Sequence, residues 1–228
     1  MNDMNKSYKK KVQIGDCTLY LGDCMKVMPM LDKVDAVVTD PPYGLGKKMS
    51  GGTWATKATY YKDMHTWDLE ANQDWIDVIL EYKVPSIIWG ANYFTMPPSR
   101  CWLIWKKPHF PTMADCEMAW YSEDCNARVF DGLRTYKEKQ HPTEKPLPLM
   151  QWCINHLPKN TQTILDPFMG SGTTLVACAK MGRKGIGIEL DEDYFNIACK
   201  RVEEAYKSPD LFVEVKKKEV KQKELFDG

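Results

Sequence analysis

At 228 residues the chain is long enough for one well-buried α/β domain, and because lysine plus arginine and aspartate plus glutamate both total 31, any basic surface must be local. No apolar run approaches the roughly 18 residues that a bilayer-crossing helix needs, and the N-terminal MNDMNKSYKK lacks the apolar stretch of a secretory signal. Eight cysteines without a C-x-x-C pair predict free thiols in a reducing cytosol, and hence a soluble, cytoplasmic protein.

Residues 18–22 (TLYLG) and 35–39 (DAVVT) read as short buried strands, with the amphipathic MKVMPML between them as a brief crossover helix. A helix from Asp74 to Tyr82 leads to a strand at 86–90 (SIIWG), and CWLIW (101–105) and EMAWYS (117–122) are candidates to pair as later strands. From Pro146 the run PLPLMQWCINHL is helical in period. TILD (163–166) is a strand, TTLVACAKM a helix and GIGIEL (185–190) another strand. In the last helix, EDYFNIACKRVEEAY, the apolar Tyr194, Ile197, Ala198 and Val202 recur at helical spacing. This alternation implies a parallel sheet covered on both faces. The stretches 44–73 and 107–140 fall outside it and read as long functional loops. The domain is expected to occupy 1–206 and a charged tail 207–228.

Two strand ends carry unusual chemistry. In TDPPYG (39–44) the chain leaves an apolar strand and at once places a carboxylate, two prolines and an aromatic ring, which is either a stiff turn or a site. In DPFMGSGTT (166–174) a strand again ends in Asp-Pro-aromatic, and glycines then open a helix, so that backbone can approach a ligand closely. The turn lacks the lysine of a phosphate-binding loop, and Asp166 at its mouth repels phosphate and attracts a cationic or amino-bearing ligand, of which S-adenosylmethionine (AdoMet) is one. Glu189 ends the next strand 23 residues after Asp166, where a carboxylate in a Rossmann-like sheet accepts hydrogen bonds from ribose hydroxyls.

With TDPPYG, DPFMGSGTT and HPTEKP (141–146) together, the sequence resembles the β-group DNA amino-methyltransferases, the permuted adenine-N6 and cytosine-N4 family, over most of its length. The resemblance implies a Rossmann-like AdoMet-dependent methyltransferase fold, a mixed but mostly parallel sheet in circularly permuted motif order, with the catalytic motif before the cofactor loop. Here Asp40 precedes Asp166 by 126 residues. It also implies that Asp40, Pro41, Pro42 and Tyr43 are catalytic. Asp166, Phe168, Gly170, Ser171, Gly172, Thr173 and Thr174 resemble the pocket for the methionine part of AdoMet, Asp40 borders it, and Glu189 looks like the ribose acceptor. His141, Thr143 and Lys145 resemble the segment that reaches the carboxylate of the cofactor. Asp23 is similar to the acid that meets the adenine amino group, and reads equally well as a helix N-cap.

An exocyclic amine is a poor nucleophile because its lone pair is delocalised into the ring, so acceptors must be aimed at its hydrogens. Asp40 supplies one, and the carbonyl of Pro41, held in direction by the fixed φ of two prolines, supplies another. Tyr43 offers a face on which an extruded base can stack. The first-position Asp favours adenine within the family. Cytosine-N4 methylation is the alternative, and a DNA-binding relative without turnover is a third reading. No metal is required; His109 with Cys116 and Cys125 has poor ligand spacing. For double-stranded DNA the candidate contacts are Lys47, Lys48, Lys57 and Lys62, interleaved with Trp54, Tyr60 and Tyr61, and then Arg128, Arg134, Lys137 and Lys139 in the place of the target-recognition region. Asn92 and Tyr93 of WGANYF are candidate walls of a base pocket, although core packing explains Trp89 and Phe94. The closing QKELF resembles a peptide that docks on bacterial sliding clamps through Gln222, Leu225 and Phe226, or else is a solvated tail. Relatives also suggest a homodimer and a bacterial or phage-infected cell.

Overall fold

The computed structural model describes residues 7–44, 71–107, 114–132 and 145–207. Nine strands lie among them: β1 (Lys10–Ile14), β2 (Cys17–Leu21), β3 (Ala36–Thr39), β4 (Ser86–Trp89), β5 (Trp102–Lys106), β6 (Cys116–Tyr121), β7 (Arg128–Asp131), β8 (Thr163–Asp166) and β9 (Lys184–Glu189). The helices are α1 (Cys24–Val27), α2 (Gln73–Glu81), α3 (Leu147–His156), α4 (Thr173–Lys180) and α5 (Glu192–Lys207). One sheet joins the strands in the order β1-β2-β9-β8-β3-β4-β6-β5-β7. The central run from β2 to β4 is parallel, β1 and β6 are antiparallel to their neighbours, and β7 is parallel to β5. Every strand but β1 and β6 therefore points its carboxyl end at one edge.

That edge contains a reversal of strand order. From β3 the chain travels by α2 to β4 on one side, and from β8 it travels by α4 to β9 on the other, while β3 and β8 are direct neighbours. In open α/β sheets the crevice outside the carboxyl ends at such a reversal is where ligands bind. The sheet is buried on both faces. Ala36 and Val38 pack with Leu149, Leu175 and Phe195 beneath α3, α4 and α5, whereas Val37, Leu165 and Ile188 meet Val27, Ile76 and Ile79 beneath α1 and α2. Alternate residues of one strand thus serve opposite cores, which is why the central strands read as continuous apolar runs.

Local chemistry sets the helix starts. Asn72 accepts from the Asp74 N–H at 3.0 Å to cap α2, and Asp23 accepts from the Met25 N–H at 3.0 Å to cap α1. Asp191 does the same for α5 through the N–H groups of Asp193 and Tyr194.

Three expectations need correction, and one strand, β1, carried no expectation. The stretch 107–140 contains a further strand, β7, as well as β6. The charged β1 (KKVQI) is an edge strand that sends only Val12 and Ile14 toward the core. The buried face of α5 is Phe195, Ala198, Val202 and Ala205, so Ala198 and Val202 lie on it as expected, whereas Tyr194 and Ile197 are half-buried at its margin. Cys101 and Cys125 form a disulfide with Cα atoms 5.0 Å apart, so these two are not free thiols; the turn from β6 to β7 brings together residues 24 positions apart, which no local spacing reveals. Among the described residues no helix is long and apolar enough to cross a membrane.

Candidate active site at the strand reversal

The turns that follow β3 and β8 open on one cavity of about 420 Å³, within the range typical of small-molecule sites. Asp40 and Pro42 line it from the first turn, and Asp166, Phe168, Gly170, Ser171, Thr173 and Thr174 from the second. Asp23 borders it after β2, Glu189 at the end of β9, and Lys145 at the entry to α3. Motifs far apart in the sequence thus share one cleft, and the Thr39 hydroxyl ties them by donating to Asp166 Oδ1 at 2.8 Å. Asp23, which caps α1, also lines the cavity.

Four of the expected residues do not line the cavity. Gly172, at φ +81°, faces away from the cavity: a Cβ there would lie 2.9 Å from Ala198 Cβ, so the glycine lets α5 approach. Pro41 and Tyr43 are not among the lining residues. The Tyr43 hydroxyl donates to Asp40 Oδ1, and its ring stacks on Tyr93 with centroids 5.1 Å apart and planes 14° from parallel. Arg128 opens β7 at the sheet edge away from the cleft, so it is not brought to the site. Lys47, Lys48, Lys57, Lys62, Arg134, Lys137, His141 and Thr143 lie outside the described residues, as do His109 and the tail residues Gln222, Leu225 and Phe226.

Carboxylates crowd the cavity, Asp166 buried and Asp40 and Glu189 half-buried. Burial pushes the Asp166 carboxyl up to about 6, against hydrogen bonds from Thr174, Thr39 and the Phe168 N–H. Burial pushes Glu189 up to about 7, against the N–H groups of Asp191 and Gly170, which it accepts at 2.8 and 2.9 Å. Asp40 is also raised, because burial outweighs the ammonium of Lys145. Such a set favours a ligand that carries positive charge and hydroxyl donors, and opposes a phosphate.

A family profile described as DNA methylase, of the N6/N4 type, matches residues 83–200, just over half of the chain. The chain belongs to this family of DNA methylases. The type II methyltransferase M2.MboI of Moraxella bovis is 27% identical over 258 residues, covering 90% of this chain and 93% of that protein. M2.DpnII of Streptococcus pneumoniae is 47% identical over 79 residues, or 33% of this chain and 30% of that one. In fold, this methylase is similar to the PvuII cytosine-N4-specific DNA methyltransferase, with a TM-score of 0.58 at 15% identity over 88% of this chain and 95% of that one. It is also similar to M1.HpyAVI, solved as a SAM complex, with a TM-score of 0.52 at 23% identity over 82% and 98%. The fold is the Rossmann-like one of AdoMet-dependent methyltransferases.

Several residues of the methylase site carried no local signal. Trp75 of α2 lines the cavity and packs on Phe168, with ring centroids 5.1 Å apart. Arg201 of α5 donates to the Ser171 carbonyl at 2.8 Å and to its hydroxyl, and so pins the glycine-rich turn from behind. Gly90, at φ +64°, lies under Tyr43, and a Cβ there would fall 1.9 Å from the ring. Gly90→Ala should therefore displace Tyr43, costing about 1–3 kcal/mol of stability for the left-handed backbone and slowing methylation about 10²-fold through misplacement. Urea unfolding and single-turnover methylation measure the two effects; a Gly90→Ala enzyme of wild-type speed would remove Tyr43 from the site.

Proposed function

We propose that the chain transfers a methyl group from AdoMet to the exocyclic N6 of an adenine extruded from double-stranded DNA. The observation that carries the reading is that Asp40 and the 166–174 turn border a single cavity at the strand reversal, with Glu189 on the same rim. The acid-rich, partly apolar lining suits a sulfonium ligand with ribose hydroxyls. In this assignment Glu189 accepts from the ribose, Asp23 from the adenine amino group, and the turn from Gly170 to Thr174 with Phe168 encloses the methionine part. The segment of His141, Thr143 and Lys145 is assigned to the carboxylate of the cofactor on its sequence alone, and the Lys145 ammonium is held by Asp40 and Glu117. When bound, the cofactor supplies an electrophilic methyl group on sulfur.

The chain's own residues then act on the amine. The Asp40 carboxylate accepts one N–H of the target and the Pro41 carbonyl the other, which draws the lone pair out of conjugation and toward the methyl carbon; as the N–C bond forms the C–S bond breaks, and the methylated nitrogen sheds one proton to Asp40 or to water. Proline at 41 and 42 fixes φ, so this carbonyl costs no reorganisation when the base arrives. Tyr43 gives the extruded base a flat partner that offsets part of its lost stacking, a loss of roughly a few kcal/mol. The preference for adenine rests on Asp rather than Ser at the first position of the motif. Lys47, Lys48, Lys57 and Lys62, just after the motif in sequence, are assigned to the DNA backbone.

The test is labelled-AdoMet methylation of mixed-sequence DNA, followed by digestion to nucleosides and identification by mass. N6-methyladenosine in deoxy form is expected. N4-methylcytosine would replace the assignment of base, and label on RNA or protein instead of DNA would discard the substrate class.

A further inference from the structure

Lys145 is 6% exposed, yet its ammonium is shared between two carboxylates. Nζ donates to Asp40 Oδ2 and to the Tyr43 hydroxyl at 3.3 Å, and on its other side it stands 3.0 Å from Glu117 Oε2. Trp89 and Tyr43 give it two aromatic faces at 5.5 and 5.8 Å. Glu117 comes from β6, which is antiparallel, so its first residues lie at the cleft edge. Its Oε1 pairs with Lys107 at the end of β5. Its Oε2 is buried and makes no hydrogen bond among the described residues, since the 3.0 Å approach to Lys145 has ion-pair distance without hydrogen-bond angles.

This arrangement poses a problem for the reaction. Both oxygens of Asp40 already accept, Oδ1 from Tyr43 and Oδ2 from Lys145, so the ammonium competes with an incoming amine for Oδ2 and weakens it as an acceptor. Lys145 cannot be released into water from so buried a place, and a buried ammonium that lost its counter-charge would carry a large penalty. A second carboxylate with an unused acceptor already lies within reach. We propose that Glu117 is a positioning residue: it takes Lys145 over from Asp40 as the target base enters, and thereby frees the Asp40 oxygen for the amine. The proposal rests on Asp40 being the acceptor assigned above, and it adds a role for two residues outside the sequence motifs, Glu117 and its second partner Lys107.

The charged groups facing Asp40 fix the expected signs. Lys145 and Lys107 favour its charged form, Asp166 opposes it, and Glu117 acts across Lys145. Glu117→Gln leaves Lys145 wholly on Asp40, so three changes are expected together. The methyl-transfer rate falls about 10- to 100-fold, AdoMet affinity and KM for DNA stay within about threefold, and the acid limb of the pH–rate profile moves to lower pH. Lys107→Gln should do the opposite to the limb, because it leaves Glu117 to Lys145 alone and removes a cation from the neighbourhood of Asp40. A carbon NMR titration of the Asp40 carboxylate in ligand-free protein reads the same two shifts without turnover, so the result is separable from any failure of wild type to methylate DNA. A Glu117→Gln enzyme within twofold of the wild-type rate, or an Asp40 titration that moves the same way in both variants, would overturn the proposal. Lys107→Gln also serves where Glu117→Gln fails to fold.

Discussion

Asp40→Ala is expected to slow methyl transfer to DNA by about 10²–10³-fold, the usual effect of deleting one preorganised polar group at the reacting centre, while AdoMet binds within about tenfold of wild type. The asymmetry follows from position. Asp40 reaches the cavity from the end of β3, whereas the glycine-rich turn and Glu189 approach it from β8 and β9. An alanine removes the acceptor aimed at the amine and leaves those other walls in place. Lys145 is not orphaned, because Glu117 Oε2 stays 3.0 Å away, so loss of fold should not account for loss of rate. Single-turnover methylation with calorimetry of AdoMet binding separates the two quantities. An Asp40→Ala enzyme that keeps a tenth of the wild-type rate would mean that the amine is held by other acceptors.

The site was legible where sequence and topology repeat each other. β3 and β8 are parallel neighbours in the sheet, so the two turns that each start with Asp-Pro face one another, although 126 residues separate their aspartates. The parallel core was readable because its strands are buried on both faces and therefore apolar throughout. The edges were not. β1 and β7 each pair on one side only, and KKVQI and RVFD carry charges that mimic loop composition. On α5 the expected Ala198 and Val202 are buried, but Tyr194 lines the cavity and its neighbour Phe195 is the buried anchor. Glu117, Lys107 and Arg201 were invisible for a different reason. Each is an ordinary charged residue in its own segment, and it matters only because the sheet and α5 deliver it to a turn made elsewhere.

The second large effect concerns Glu189. Its folded pKa of about 7 lies above the ordinary 4.5, so between those values the native state holds a proton that the unfolded chain has released. Stability from this group is therefore present below about pH 4.5 and is lost as pH rises through 7. The charged form is nevertheless the one that can accept from a ribose hydroxyl while it holds the N–H groups of Gly170 and Asp191. Glu189→Gln removes the titration but leaves one of those two donors without an acceptor at every pH, a constant offset. Between pH 5 and 8 the stability of wild type relative to Glu189→Gln should hence fall by about 1–3 kcal/mol, reduced from the full shift because the carboxylate is partly accessible. AdoMet affinity should behave in the reverse sense. Wild type weakens as pH drops through 7, Glu189→Gln loses roughly 10- to 100-fold at pH 8 as expected for a hydrogen bond to a charged group, and only the limb from Asp166 near 6 remains in the variant. Urea unfolding and calorimetry across this range measure both. Parallel stability curves for the two proteins would place the Glu189 proton elsewhere, and an unchanged affinity at pH 8 would take the ribose away from this carboxylate.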